Sequence, residues 1–143
     1  MLIEQRCRVA APSEAVWSVS ADFQAYEQWN PFVLRCQTVL EPGADIVMTV
    51  HLGSRVLQQT ERVSAVERGR YFAYTMKPVP GLLNSLREHI VEPEADETCC
   101  WYTARFQLRG LASPVLSVLM GKDLRQGFRA MTDALVSRAE QRI

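Results

Sequence analysis

The stretch from Phe32 to Arg109 limits most strongly what this chain can become, because six strand-like runs follow one another there with only short turns between them. The runs are FVLRCQTVL, DIVMTVHL, RVLQQTERVSAV, RYFAYTMK, LREHIVE and TCCWYTARFQLR, punctuated by EPGAD, HLGSR, ERGR, KPVPGLLN and EPEADE. Gly, Pro, Asp and Asn stand where hairpin turns need them. Six consecutive strands joined in this way make an antiparallel meander.

The flanks supply what such a sheet lacks. Upstream, IEQRCRVA sets Ile3, Cys7 and Val9 against Glu4, Arg6 and Arg8, with Gln5 the exception, and so reads as a further strand with one wet face. In APSEAVWSVSADF, Ser13 is placed to cap a helix of barely two turns carrying Val16, Trp17 and Val19. A second short helix follows over Phe23 to Trp29, where Phe23, Tyr26 and Trp29 recur at every third position. Pro31 disfavours helix at Asn30, so the chain should turn extended there.

Downstream, Leu124, Phe128, Met131 and Leu135 step by four, three and four, and Val115, Val118 and Leu119 extend the apolar stripe. This predicts an amphipathic helix of about six or seven turns from Pro114, with Gly121 or Gly127 as points of interruption. Its apolar face has to be buried, and the concave face of the sheet is the available surface. The expected order is strand, two short helices, six strands and a long helix, an α+β arrangement forming one domain over residues 1–143.

Zero formal charge and 48% hydrophobic residues argue against both disorder and a basic nucleic-acid footprint. No apolar run approaches the roughly 18 residues of a membrane span. The start, MLIEQRCRVAAP, lacks a basic segment followed by an apolar one, so a cytoplasmic protein without a signal peptide is expected. Cys7, Cys36, Cys99 and Cys100 show no CxxC spacing and are read as reduced, small apolar residues. His51 and His89 lack a patterned third ligand, and neither GxGxxG nor a phosphate-cradling loop occurs, so neither metal nor cofactor is expected.

Taken together, the opening strand with APSEAVWSVSADFQAYEQWNPFV, the PGLLNSLREHIVEP region and the ending FQLRGLASPVLSVLMGKDLRQGFRAMTDALVSRAE resemble the START-like (SRPBCC) superfamily, in particular its bacterial polyketide cyclase/dehydrase-type members. The resemblance spans the whole chain. It implies a helix-grip fold, in which a curved seven-stranded antiparallel sheet wraps the C-terminal helix and leaves an internal cavity. It also implies a small hydrophobic ligand such as a lipid, polyketide, quinone or sterol-like molecule, although fold alone does not fix function. A dense set of inward-facing acids, histidines or arginines, as a polyketide cyclase would need, is not evident in the pattern.

If each strand turns its apolar side inward, the wall includes Ile46, Met48, Val50, Phe72, Tyr74, Met76, Cys100, Tyr102, Ala104 and Phe106, facing Leu124, Phe128 and Met131. Methionines adapt to irregular shapes and tyrosines offer a polar tip on an apolar body, which suits an elongated hydrophobe. A solid core is the alternative use of the same residues. In LREHIVE periodicity allows either Glu88 or His89 to face inward; the resemblance favours His89 and Val91, with Arg87 near the mouth. Should Glu88 point inward, it would pair with Tyr74 or Tyr102 as the catalytic candidate.

The charges Arg55, Glu61, Arg62, Glu67, Arg68 and Arg70 read as a solvated strand face, and His51 as solvent-exposed. KPVPGLLNS and GLASPVLSVLM, together with Trp29 and Phe32, are placed to rim an opening. The ligand-binding set expected on this basis is Trp29, Phe32, Met48, Phe72, Tyr74, Met76, His89, Tyr102, Phe106, Leu124 and Phe128. Binding of a small hydrophobic molecule by a monomer or homodimer is the leading reading. A cyclase or dehydrase and a protein-interaction module are the alternatives.

Overall fold

The computed structural model describes residues 1–141, so the last two residues of the expected domain lie outside the described part. The elements are β1 (Leu2–Val9), α1 (Ser13–Ala21), a 3-10 turn (Phe23–Ala25) running into α2 (Tyr26–Trp29), β2 (Val33–Gln37), β3 (Asp45–Leu52), β4 (Arg55–Glu67), β5 (Tyr71–Thr75), β6 (Asn84–Pro93), β7 (Cys100–Arg109) and α3 (Ser113–Gln141). The strands form one antiparallel sheet in the order β1-β7-β6-β5-β4-β3-β2. The meander therefore closes by bringing β1 beside β7. Register shifts at Val33/Arg35 and Val63/Ala65 are bulges of the kind that bend a sheet. This is the helix-grip arrangement, with α3 held against the curved sheet.

The two short helices sit where the sequence places them, with differences at their ends. Pro12 is the residue that enters α1 and no side chain caps it, so Ser13 is already helical and does not cap. The Pro12 carbonyl accepts from the N–H of Ala15 (3.0 Å) and Val16 (3.3 Å), while the first-turn donors of α1 receive no side-chain acceptor. At the other corner Asn30 turns extended, as Pro31 requires, and its Oδ1 accepts from the backbone N–H of Phe32 (3.0 Å) and Val33 (2.9 Å). The Trp-Asn-Pro-Phe corner is thus pinned by one buried amide.

The long helix runs 29 residues, about eight turns, without a break at either Gly121 or Gly127. Gly127 is a notch: a Cβ built there would lie 2.2 Å from the Phe32 ring. The C-terminal half of α3 is packed tightly, with Leu135 and Ala139 fully buried among Val16, Val19, Val91 and Tyr102. Burying a leucine of this kind contributes about 1.5–3 kcal/mol. In the N-terminal half the inward row is Leu116, Met120, Leu124 and Phe128, spaced by four. Val115, Val118 and Leu119, expected to continue the buried stripe, are instead 60%, 85% and 71% exposed. Five or six residues from Leu124 is the wrong phase for its face of a 3.6-residue helix.

Candidate functional site

A cavity of about 410 Å³ lies between the N-terminal half of α3 and the concave side of the sheet. Leu116, Met120, Leu124 and Phe128 form its ceiling, while Met48, Val50 and Leu52 of β3, Tyr74 of β5 and Phe106 and Leu108 of β7 form its floor. Phe32 closes one end, its ring 5.1 Å from Phe128 and seated in the Gly127 notch.

A side window follows from strand lengths. β4 begins at Arg55, but its pairing with β5 reaches only Arg62 opposite Thr75, so residues 55–61 have no β5 neighbour. Gln59, Thr60 and Glu61 line the cavity on that flank, with Met76, Lys77 and Leu83 across from them. The loop after β5 is fixed by hydrogen bonds to the turn before α3, from the N–H of Ala112 to the Leu82 carbonyl (2.9 Å) and from Leu111 to that of Gly81 (3.2 Å). Gly110, at φ +112°, permits this approach, since a Cβ would meet the Leu82 carbonyl oxygen at 2.3 Å. The two apolar stretches therefore pack on each other and still expose Leu82, Leu111, Val118 and Leu119.

Two charged side chains break the apolar lining. Arg87 of β6 is only 4% exposed. Its Nη1 donates to the Glu88 carbonyl (2.8 Å), its Nη2 lies 3.8 Å from Met131 Sδ, and the guanidinium covers the Phe128 ring at 4.5 Å. Among the described residues, no ion pair within 4 Å involves Arg87. Glu61, half-buried on the inner side of β4, has its carboxyl pushed up to about 7 by burial, against the pull of Arg87. Burial also holds the Tyr74 hydroxyl well protonated.

Of the residues expected at the site, Phe32, Met48, Tyr74, Met76, Phe106, Leu124 and Phe128 come together around this cavity. Trp29, Phe72, His89 and Tyr102 do not line it. Phe72 and His89 stack at 4.2 Å, and His89 Nδ1 lies 2.7 Å from the Tyr102 hydroxyl, making a filled aromatic layer behind the cavity. Ile46 and Met131 pack in the core with Phe72, and Cys100 and Ala104 in the core with Tyr102, so none of the four lines the cavity. Trp29 is drawn to the α2 corner, edge-on to Tyr26 at 5.3 Å, so it closes the core and does not rim the opening.

His89 does face inward, where burial first and Arg87 second push it well below its ordinary range, leaving a neutral imidazole. Glu88 points to the outer face, accepting from the Tyr71 hydroxyl (2.6 Å) and Arg105 Nη1 (3.2 Å), so its pairing with Tyr74 or Tyr102 is excluded. Arg55, Arg62, Glu67, Arg68 and Arg70 are exposed, but Glu61 departs from that solvated face. Arg87, expected near the mouth, lies on the inner wall. The missed signal was the alternation of Leu57, Gln59, Glu61 and Val63 on β4, which turns Glu61 inward with the two apolar residues.

The four cysteines are free, and burial pushes the Cys36 thiol up to about 12 and Cys100 to about 11. No group of three or more potential metal-ligating His, Cys, Asp or Glu side chains occurs among the described residues, and no helix there is long and apolar enough to cross a membrane.

No curated protein sequence matches the chain. Solved structures do share its fold. The Zhui aromatase/cyclase from Streptomyces sp. R1128 is 18% identical with a TM-score of 0.78, over 99% of this chain and 94% of that one. A START superfamily protein from Mycobacterium smegmatis is 17% identical with a TM-score of 0.73, over 99% of both chains. Norcoclaurine synthase from Thalictrum flavum, solved in complex with dopamine and hydroxybenzaldehyde, is 14% identical with a TM-score of 0.70, over 96% of this chain and 84% of that one. At these identities the likeness is one of fold. The family model described as polyketide cyclase/dehydrase and lipid transport matches residues 2–140, nearly the whole chain, and the protein belongs to that family.

Proposed function

We propose that this protein binds a small, largely apolar molecule between its sheet and the N-terminal half of α3. The observation that carries the reading is the 410 Å³ cavity, whose size is typical of small-molecule sites and whose lining is apolar except for a few polar groups. The exposed Leu82, Leu111, Val118 and Leu119 beside the loop contacts favour an entry route for a poorly soluble ligand. Neutral Nile red tests the reading directly. Saturable fluorescence enhancement is expected, and dye at one hundred times its dissociation constant should raise the melting temperature of the 143-residue chain by about 9 °C. Met76→Trp, which fills the window side, should weaken binding at least tenfold while the circular dichroism spectrum is retained. Absence of saturable binding to the native protein rules the reading out.

A second reading, a cyclase or dehydrase acting on a polyketide-like substrate, draws on Glu61. A carboxyl poised near pH 7 in an apolar space beside a guanidinium has the properties of a general acid or base at a carbonyl-rich substrate. Turnover of a poly-β-ketone mimic that disappears in Glu61→Gln would favour it over simple binding.

A further inference from the structure

We infer that the ligand of this cavity carries a single acidic head, whose oxygens seat on Arg87 beside Glu61 while its apolar remainder lies under Leu124, Met120 and Leu116. The inference rests on the reading that the cavity binds an apolar molecule, and adds what its polar end must be.

Arg87 is a permanent cation at 4% exposure, on the wall of a cavity otherwise lined mainly by carbon and sulfur. A charge so placed is normally paired. Here one N–H goes to the Glu88 carbonyl, a second reaches the thioether of Met131, the buried Tyr102 hydroxyl also interacts with the guanidinium, and the Phe128 ring takes one of its faces. None of these is an anion. Glu61 lines the same cavity but stands beyond 4 Å from Arg87, and its own burial favours the neutral carboxyl. The protein has thus brought an acid near the cation without closing the pair, leaving donors for an oxyanion from outside. A guanidinium fork matches a carboxylate in shape as well as in charge. The neutral Glu61 carboxyl adds an O–H donor for the same head.

The groups that face Glu61 are Arg87 of β6, Tyr74 of β5, Lys77 of the loop after β5, and Asp45 and Arg62 beside the window. The overlying α3 contributes only Leu116, Met120, Leu124 and Phe128 to the cavity. At about 410 Å³ the space falls in the lower part of the range of small-molecule sites, and a dodecyl chain with a small head is the probe chosen for it.

The test compares dodecanoate, dodecanol and dodecylamine as competitors of bound Nile red at pH 7, each below its aggregation threshold. Dodecanoate should bind about ten- to hundredfold more tightly than dodecanol, the range of a charge-assisted hydrogen-bonded head, and dodecylamine most weakly. Arg87→Met should abolish the preference for the acid and leave dodecanol affinity within about threefold. Equal affinity for acid and alcohol in the native protein overturns the inference but leaves the apolar cavity standing. Failure of all three compounds and of Nile red overturns the binding reading itself. Glu61→Gln provides a check that does not depend on Arg87 variants folding. Native affinity for dodecanoate should tighten from pH 8 to pH 6 as Glu61 takes up its proton, and in Glu61→Gln the profile should be flat. An equally steep profile in both proteins overturns the inference.

Discussion

Replacing each helical glycine of α3 by alanine should produce opposite effects at two positions only six residues apart. In a helix interior, alanine is favoured over glycine by about 1 kcal/mol. Both Gly121 and Gly127 lie inside the unbroken α3, so propensity alone predicts the same gain at both. At Gly121 the nearest atom to a new Cβ is Met1 Sδ at 3.6 Å, an ordinary contact. Gly121→Ala should therefore stabilise by about 0.5–1 kcal/mol. At Gly127 the new Cβ would fall 2.2, 2.4 and 3.0 Å from three ring atoms of Phe32. That ring cannot simply turn aside, because Asn30 pins the Phe32 backbone and Phe128 lies 5.1 Å away. Overpacking of this kind costs about 1–3 kcal/mol, so Gly127→Ala should fall below Gly121→Ala by that amount. Taking about 2.1 cal/mol/K per residue over 143 residues, the two melting temperatures should differ by about 3–10 °C. Urea denaturation with unchanged slope is the deciding assay. Equal stabilisation by both variants would falsify the claim that Phe32 is seated in a notch of the helix.

Phe128→Ala removes a ring packed between Phe32 and Phe106 and covered by Arg87, and should cost about 3 kcal/mol, at the lower end for such truncations because one side of the ring already borders a void. A loss below about 0.5 kcal/mol by chemical denaturation would show the inward row of α3 to be misassigned. His89→Gln should cost about 1–3 kcal/mol at pH 8, since it breaks the stack on Phe72 and the contact with Tyr102. Because burial depresses the folded pKa of His89, the unfolded chain takes up its proton near pH 6.5 before the folded one does, and native stability from this group falls as the pH drops below that point. The penalty of His89→Gln should therefore shrink between pH 6.5 and pH 5, and a pH-independent gap in urea midpoints refutes a buried neutral imidazole. Glu61 acts in the other direction: its folded pKa is raised to about 7, so its contribution is lost as pH rises through 7, and Glu61→Gln should help stability most at pH 8.

The fold was legible because its signals were redundant. The run DIVMTVHL matches β3 from Asp45 to Leu52, and every hairpin of the meander falls on a Gly-, Pro- or Asp-bearing turn. The apolar step of four and three from Leu124 to Leu135 likewise fixes the buried face of the second half of α3. Upstream of Leu124 the signal divides, because two apolar rows exist and only one can face the sheet. Leu116 and Met120 continue the inward row, while Val115, Val118 and Leu119 form the exposed one. Hydrophobicity cannot distinguish a stripe that is buried from one that surrounds an opening. The site is harder for a related reason. A filled aromatic layer and a cavity wall use the same residue types, so Phe72 and Tyr102 look as suitable as Phe106 and Tyr74.

Where α3 stands off the sheet depends on the Phe32 seat at Gly127, and that is a contact between positions 95 residues apart in the chain. Pattern within one element carries no information about it. The charged pair shows the same limit from the opposite side. Glu61 and Arg87 are on non-adjacent strands, and strand β5 between them sets their phase: Val63 pairs with Tyr74, and Tyr74 with Arg87. Strict alternation back from Val63 then turns Glu61, which its charged neighbours place on a solvated face, to the same side as Arg87, which the resemblance places only near the mouth. An inward charge on an apolar wall is costly for folding and is kept where it recognises something. The proposed chemistry of the cavity therefore depends on one position that charge patterning assigns to solvent, Glu61, and on another, Arg87, whose depth only the pairing across β5 sets.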